Sequence, residues 1–393
     1  MTKLILSTGN IVSGGPSIVR RPGTFRSNLE LTNSLRSNFL AAQLSDAEDE
    51  EYNARNSSPA DTATHAAVTT TNGDAVNAGA NDTTKTEGTH TSQNGTSAIN
   101  SVSGNTSNGN SGLRRPALAS WTHREGKTLY IPRVDWPVIE REAASTTDTE
   151  TGSTTSGSSS SGGLQEEASQ YDTTVKLFFL PGALPVEARA QYAEEALSLV
   201  FSELGVKSVN LLVLSFPGMS FEGDCEWRAD KINAKQGNDD EEAATWAIAA
   251  EALYKAGKVR RLGVAEFGSE KLARFVARVG VPPAVDQINI HNCCNVPPPL
   301  TALAKEKGIE LLVHTDCTDI LPPGTLRELL GQGAQGAGVL VDEDGSNSVT
   351  RPPADALRGD ITPQWVVKYT AVVRDRGVIE NKGYFAGALL QDE

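Results

Sequence analysis

Between residues 173 and 315 the chain alternates two hydrophobic periods, and this alternation restricts the available folds more than any other feature. "TTVKLFFL" (173–180) reads as a strand, and "EARAQYAEEALSLVFSELG" (187–205) as a helix with Ala193, Leu197, Val200 and Leu204 on one face and Gly205 as its stop. "VNLLVLSF" (209–216) is a nearly continuous apolar run suited to a strand covered on both faces. "DDEEAATWAIAAEALYKAG" (239–257) follows as a helix with a solvated acidic first turn, Trp246 and Tyr254 packed, and Gly257 at its end. "RRLGVAEF", "SEKLARFVARVG" with Ser269 as N-cap, "AVDQINI", "PPLTALAKEKG" and "IELLVHT" continue the series. Short strands separated by helices imply right-handed crossovers and a parallel sheet. An open doubly wound sheet and a closed barrel both satisfy that rule; the ordered length, about 300 residues, suits the (β/α)8 TIM barrel, which is the expected α/β fold.

That length counts only part of the chain. Residues 45–114 and 146–169 are dominated by Ser, Thr, Asn, Gly and acids, with few large apolar side chains to offset the entropy of ordering. The expected organisation is therefore an N-terminal barrel segment (1–44), a disordered low-complexity insertion (45–114), a second barrel segment (115–145), a disordered Ser/Gly/Thr linker (146–169) and the main barrel (170–393).

A net charge of −14 with no gathered Lys/Arg stripe argues against a nucleic-acid partner. The opening "MTKLILSTGN" is too short an apolar run for a signal-peptide core, and no run approaches membrane-spanning length, so a cytoplasmic protein without a membrane partner is expected. In that compartment Cys225, Cys293, Cys294 and Cys317 are expected as thiols.

Two motifs invite chemistry. "GQGAQG" (331–336) has the spacing of a dinucleotide fingerprint, but a helix-like run precedes it and an apolar run follows, the reverse of the order that aims a helix N-terminus at a pyrophosphate. It reads as a mobile loop. "INIHNCCNVP" (288–297) places His291 beside Cys293 and Cys294. In an extended strand only one of two adjacent thiols can share the histidine's face, which weakens a catalytic dyad, and no second ligand pair stands at metal-binding spacing. The cysteines remain either small apolar fillers at a strand end or redox-responsive thiols at an interface. No residue is assigned as catalytic or as a metal ligand.

"GKVRRLGVAEFG", "PPAVDQINIHNCC" and "AKEKGIELLVHTD" resemble, in order, the second half of the aldo-keto reductase barrel. By that resemblance Lys176 stands at the lysine position, Gln287 at the glutamine that holds the nicotinamide amide, Ser215 where a histidine is expected, Ala265-Glu266 where Ser-Asn is expected, and His314 where a tyrosine stacks on nicotinamide. Asp316 takes the place of a proline, an acid that disfavours an anionic cofactor. Lys176, Ser215, Gln287 and His314 are thus relic positions, with Lys176 expected to snorkel from a strand end.

The opening "LILSTGNIV", the block 288–316 and "WVVKYTAVVRDRGVIENKGYF" at the end resemble the glutamate–cysteine ligase regulatory subunit family. The resemblance implies a fungal-type, non-catalytic partner of the glutamate–cysteine ligase catalytic subunit, needing no cofactor because ATP and Mg²⁺ belong to that partner. By the same resemblance, binding is expected to lower the catalytic subunit's apparent glutamate KM and to relieve glutathione feedback inhibition. The alternative is an NADPH-dependent aldo-keto reductase with an altered site. Cys293, Cys294, Lys382 and Tyr384 are the candidate partner-interface or redox residues, Lys382-Gly383-Tyr384 being read as an exposed turn.

Overall fold

Among the described residues ten strands join into one mixed sheet in the order β2-β3-β1-β10-β9-β4-β5-β6-β7-β8. A computed structural model describes residues 1–13, 26–56, 115–134, 163–182, 185–289, 295–341 and 352–391. The strands are β1 (Thr2–Ser7), β2 (His123–Glu125), β3 (Thr128–Ile131), β4 (Tyr171–Phe179), β5 (Val209–Ser215), β6 (Val259–Ala265), β7 (Val285–Asn289), β8 (Glu310–His314), β9 (Asp360–Val373) and β10 (Val378–Gln391).

From β4 to β8 the sheet is parallel, and helices run between its strands as the alternating periods predict. They are α2 (Val186–Leu204) after β4, α3 (Glu226–Asn233) and α4 after β5, α5 (Ser269–Val276) after β6 and α6 (Pro298–Lys307) after β7. Helix α4 runs through Asp239–Thr245, a π turn at Trp246–Ala250, and Glu251–Lys255. In α2 the predicted stripe Ala193, Leu197, Val200 and Leu204 is buried, and Gly205 ends the helix at φ 66°. Trp246 and Phe275 meet edge-on at 5.2 Å, and Phe267 and Phe275 at 5.0 Å, closing the layer between these helices and the sheet.

This is an α/β fold of the aldo-keto reductase barrel type, but the eight parallel strands expected from sequence are replaced outside β4–β8. Strands β9 and β10, fourteen residues each, form an antiparallel hairpin between β4 and β1. Helix α1 (Ser27–Asn56) then lays Leu31, Leu35 and Phe39 over the face of β1, β3 and β10, joined by Leu326, Leu329 and Leu330 of α7 (Thr325–Leu330). Among the described residues a helix, rather than further barrel strands, covers that face. Curvature persists in the parallel half, where His314 at the end of β8 comes within 3.4 Å of Lys176 on β4.

Several expected boundaries move. The insertion expected from residue 45 is helical as far as Asn56, because α1 continues; residues 57–114 and 135–162 lie outside the described residues. The linker expected up to 169 is folded from 163 onward: Leu164 N–H donates to Leu204 O, and Gln165 N–H to the Glu380 carboxylate. Gly268 rather than Ser269 occupies the N-cap of α5, because the Ser269 amide and hydroxyl both donate to Asp230. The acidic start of α4 is not simply solvated. Glu242 is buried and pairs with Lys271 at 2.7 Å, while Asn238 caps the amides of Asp240 and Glu241. Tyr254 is exposed rather than packed. Among the described residues no helix is long and apolar enough to cross a membrane.

Candidate functional site: an ionic cavity on the inner face of the sheet

On the inner face, β4 and β9 run antiparallel with Lys176 directly opposite Lys368 and Thr174 directly opposite Thr370. Like charges facing across a strand pair repel unless a counter-ion intervenes. Asp316, just beyond β8, is that counter-ion: its Oδ2 accepts from Lys176 Nζ at 3.2 Å and its Oδ1 from Lys368 Nζ at 2.6 Å. Burial alone would raise the Asp316 carboxyl; the two ammoniums outweigh it and hold the group well below the usual carboxylate range. Burial pulls the Lys176 ammonium downward, opposed by Asp316 and Glu266.

The second half of the cluster is His314 with Glu266. The Asp316 amide donates to His314 Nδ1 at 3.1 Å, so the ring proton lies on Nε2, which is 2.7 Å from Glu266 Oε1. Glu266 adopts φ 67°, a left-handed conformation that costs a residue of this kind about 1–3 kcal/mol. Its surroundings fix it there: its amide donates to Gln287 O, its carbonyl accepts from Asn233 Nδ2 at 2.6 Å, and its Oε2 accepts from the Asn289 amide. Asn tolerates such a conformation better than Glu, so the strain accompanies the substitution read from the sequence.

Lys176, Gln287, His314, Asp316, Lys368, Thr174, Thr315 and Thr370 line a cavity of about 270 Å³. Three of the four positions read from the sequence as relics therefore meet at one place. The fourth does not: Ser215 lines a separate, more apolar cavity of about 470 Å³ with Phe178, Phe216 and Met219. Lys176 is corrected from a snorkelling side chain to a buried one, 4% exposed, because its ammonium finds Asp316 inside the sheet's curve. Asp316 spends its charge on two lysines instead of facing the cavity as a free acid.

The remaining candidates divide similarly. Lys382 and Tyr384 are not in an exposed turn. They lie within β10, where Lys382 Nζ and Tyr384 Oη donate to Glu30 of α1 at 2.5 and 2.7 Å, and burial with Glu30 pushes the Tyr384 phenol well up. Gly383 between them allows a close approach, since a methyl there would sit 2.3 Å from the Tyr369 hydroxyl. Cys293, Cys294 and His291 lie outside the described residues. Cys225 is an exposed free thiol and Cys317 a half-buried one. "GQGAQG" is a packed loop, because Arg115 donates to the carbonyls of Gln332, Gly333 and Gly336. Carbonyls converging on a cation are the opposite of the amide cradle a phosphate requires.

Residues 164–318 match the profile of the aldo/keto reductase family. A Schizosaccharomyces pombe protein named as a glutamate–cysteine ligase regulatory subunit is 31% identical over 233 residues, covering 56% of this chain and 71% of that one. The chain belongs to the glutamate–cysteine ligase regulatory subunit family. Regulatory subunits of this family from Mus musculus and Homo sapiens are 24% and 23% identical, each over 57% of this chain and 68% of theirs. Among solved structures, a Bombyx mori aldo-keto reductase in complex with NADP is 21% identical with a TM-score of 0.24, over 33% of this chain and 37% of that one. An aldo-keto reductase from a deep-sea metagenome is 20% identical with a TM-score of 0.25, over 35% of this chain and 42% of that one. Lys368 and Thr370 also line the cavity, and reading the sequence missed them. They alternate with apolar residues in "WVVKYTAVV", a period that was available, but their partners lie on a strand distant in sequence.

Proposed function

We propose that this chain is a non-catalytic regulatory subunit that binds the glutamate–cysteine ligase catalytic subunit as a cytoplasmic heterodimer. Docking lowers the catalytic subunit's apparent glutamate KM and relieves feedback inhibition by glutathione, in the first step of glutathione biosynthesis. A tenfold gain in affinity corresponds to about 1.4 kcal/mol of preference for one conformation of the partner's active site, well within what an interface supplies. ATP and Mg²⁺ act on the partner.

The observation that carries the reading is the pairing of His314 with Glu266 at 2.7 Å, beside Lys176 and Lys368 held by Asp316. At the lysine, tyrosine and asparagine positions, Lys176 pairs with Asp316 and His314 with Glu266, so these polar groups are not directed at a cofactor. Membership of the regulatory subunit family supports the same reading.

The reductase alternative draws on Lys176 and Gln287, which keep the residue types of that family, and on the matched span 164–318. Mixing the chain with the catalytic subunit separates the two. A lower apparent glutamate KM and weaker glutathione inhibition are expected; an unchanged KM together with NADPH-dependent aldehyde reduction by the chain alone would favour the reductase. Running the mixture with and without reductant also tests Cys293 and Cys294, whose replacement by Ser is expected to remove any reductant-sensitive link and leave affinity under reducing conditions unchanged.

A further inference from the structure

We propose that the cavity between β4, β7, β8 and β9 binds a small carboxylate, with Lys368 as its cationic anchor and Thr174 and Thr370 as its hydroxyl donors. The inference rests on the reading of this site as one that no longer seats a nicotinamide, and it assigns the remaining space a ligand.

Charge comes first. Lys176 and Lys368 balance the carboxylates of Asp316 and Glu266, His314 being neutral with its one ring proton turned to Glu266, so the cavity attracts an acceptor through free donors rather than through a net charge. Lys176 is enclosed, whereas the Lys368 side chain remains 21% exposed toward the cavity and commits one N–H to Asp316 at 2.6 Å, leaving donors for a second acceptor. A single carboxylate can take those donors. A phosphate dianion does so less well, because the Asp316 carboxylate forms part of the same wall.

Shape comes second. Thr174 and Thr370 are cross-strand partners on the face that carries the lysines, two positions along each strand. Side chains so paired stand about 5 Å apart at Cβ, close enough for each hydroxyl to take one oxygen of a single carboxylate. Both are half-buried, and among the described residues neither hydroxyl nor the Gln287 amide makes a hydrogen bond within the chain. Half-buried donors around an ammonium gain when an acceptor enters, since each otherwise faces poorly ordered water. The volume, about 270 Å³, lies below the range of about 300–1,000 Å³ typical of drug-sized ligands, so the occupant is small.

Calorimetric titration of the full chain with acetate, succinate, inorganic phosphate and chloride at constant ionic strength tests the inference. Saturable binding of acetate or succinate is expected, with chloride and phosphate weaker. Thr370→Val and Thr174→Val each remove one hydrogen bond to a charged group and are expected to weaken carboxylate binding by about tenfold. Lys368→Met is expected to abolish it. The Thr variants keep the test decisive should Lys368→Met fail to fold. Carboxylate affinity unchanged in both Thr variants, or chloride or phosphate binding as tightly as the carboxylates, would overturn the proposal. Carboxylate binding without any effect on the catalytic subunit would instead sink the regulatory reading and leave this site standing.

Discussion

His314 Nε2 lies 2.7 Å from Glu266 Oε1, and the two side chains that meet there occupy positions where aldo-keto reductases are expected to keep a nicotinamide-stacking tyrosine and the asparagine of a Ser-Asn pair. Glu266→Asn combined with His314→Tyr returns those residue types and relieves the left-handed backbone at position 266. The double variant is expected to bind NADPH more tightly than the natural chain, read by nucleotide fluorescence, yet to reduce no aldehyde, because Ser215 still stands where a histidine is required. Aldehyde-dependent NADPH oxidation by the natural chain would contradict the assignment of these positions as relics.

Asp316 holds Lys176 and Lys368 together across β4 and β9. Asp316→Ala leaves a buried ammonium without its carboxylate and two like charges face to face, a loss expected to cost about 3–5 kcal/mol in denaturant unfolding. Adding Lys368→Met to that variant removes the repulsion and is expected to recover part of the stability. A double variant no more stable than Asp316→Ala alone would mean that Asp316 does not act by bridging the lysines.

Much of this architecture is legible in the sequence where the information is local. The parallel half from β4 to β8 follows from alternating periods, and Gly205 at φ 66° and Gly308 at φ 68° end helices where the pattern places them. The hairpin was less legible. Its two fourteen-residue strands carry apolar side chains on both faces, which blurs the period of two, although Arg-Asp-Arg-Gly with Gly377 at φ 62° is a turn signature between β-rich runs. Helix α1 hides its Leu31-Leu35-Phe39 stripe in a polar setting. At the site, Lys176, Gln287 and His314 were accessible through resemblance, whereas Lys368 and Thr370 depend on the pairing of β4 with β9, which no local pattern encodes. The burial of Lys382 and Tyr384 was missed for the same reason, since Glu30 reaches them from α1.

Acid sensitivity has a defined origin at the start of α4. Asp239 accepts from Arg274 Nε at 2.7 Å and from Lys271 Nζ at 2.7 Å; the Arg274 hydrogen bond, aided by Lys271 and opposed by burial, lowers its carboxyl to about 2. An unfolded chain titrates the same group near about 3.9, so the stabilisation is complete above that value and is lost as pH falls through about 2. The melting temperature of the natural chain is expected to exceed that of Asp239→Asn at neutral pH, with the gap closing between pH of about 4 and about 2. A gap independent of pH across that window would rule this origin out.

The hairpin also sets a steric limit. At Gly387 an added methyl would sit 2.3 Å from the Trp365 ring, directly across the strand pair. Gly387→Ala is expected to destabilise the fold by about 1–3 kcal/mol, measured by chemical denaturation, since Trp365 is fully buried and has no room to retreat. A neutral result would show that the two strands separate more readily than their packing indicates.

The most direct test of the regulatory assignment is sedimentation velocity on an equimolar mixture of this chain and the glutamate–cysteine ligase catalytic subunit under reducing conditions. A single faster species with the mass of a one-to-one complex is expected, and its formation should accompany the fall in apparent glutamate KM. Two independent boundaries at the masses of the separate chains, with the catalytic subunit's KM unchanged, would contradict the account.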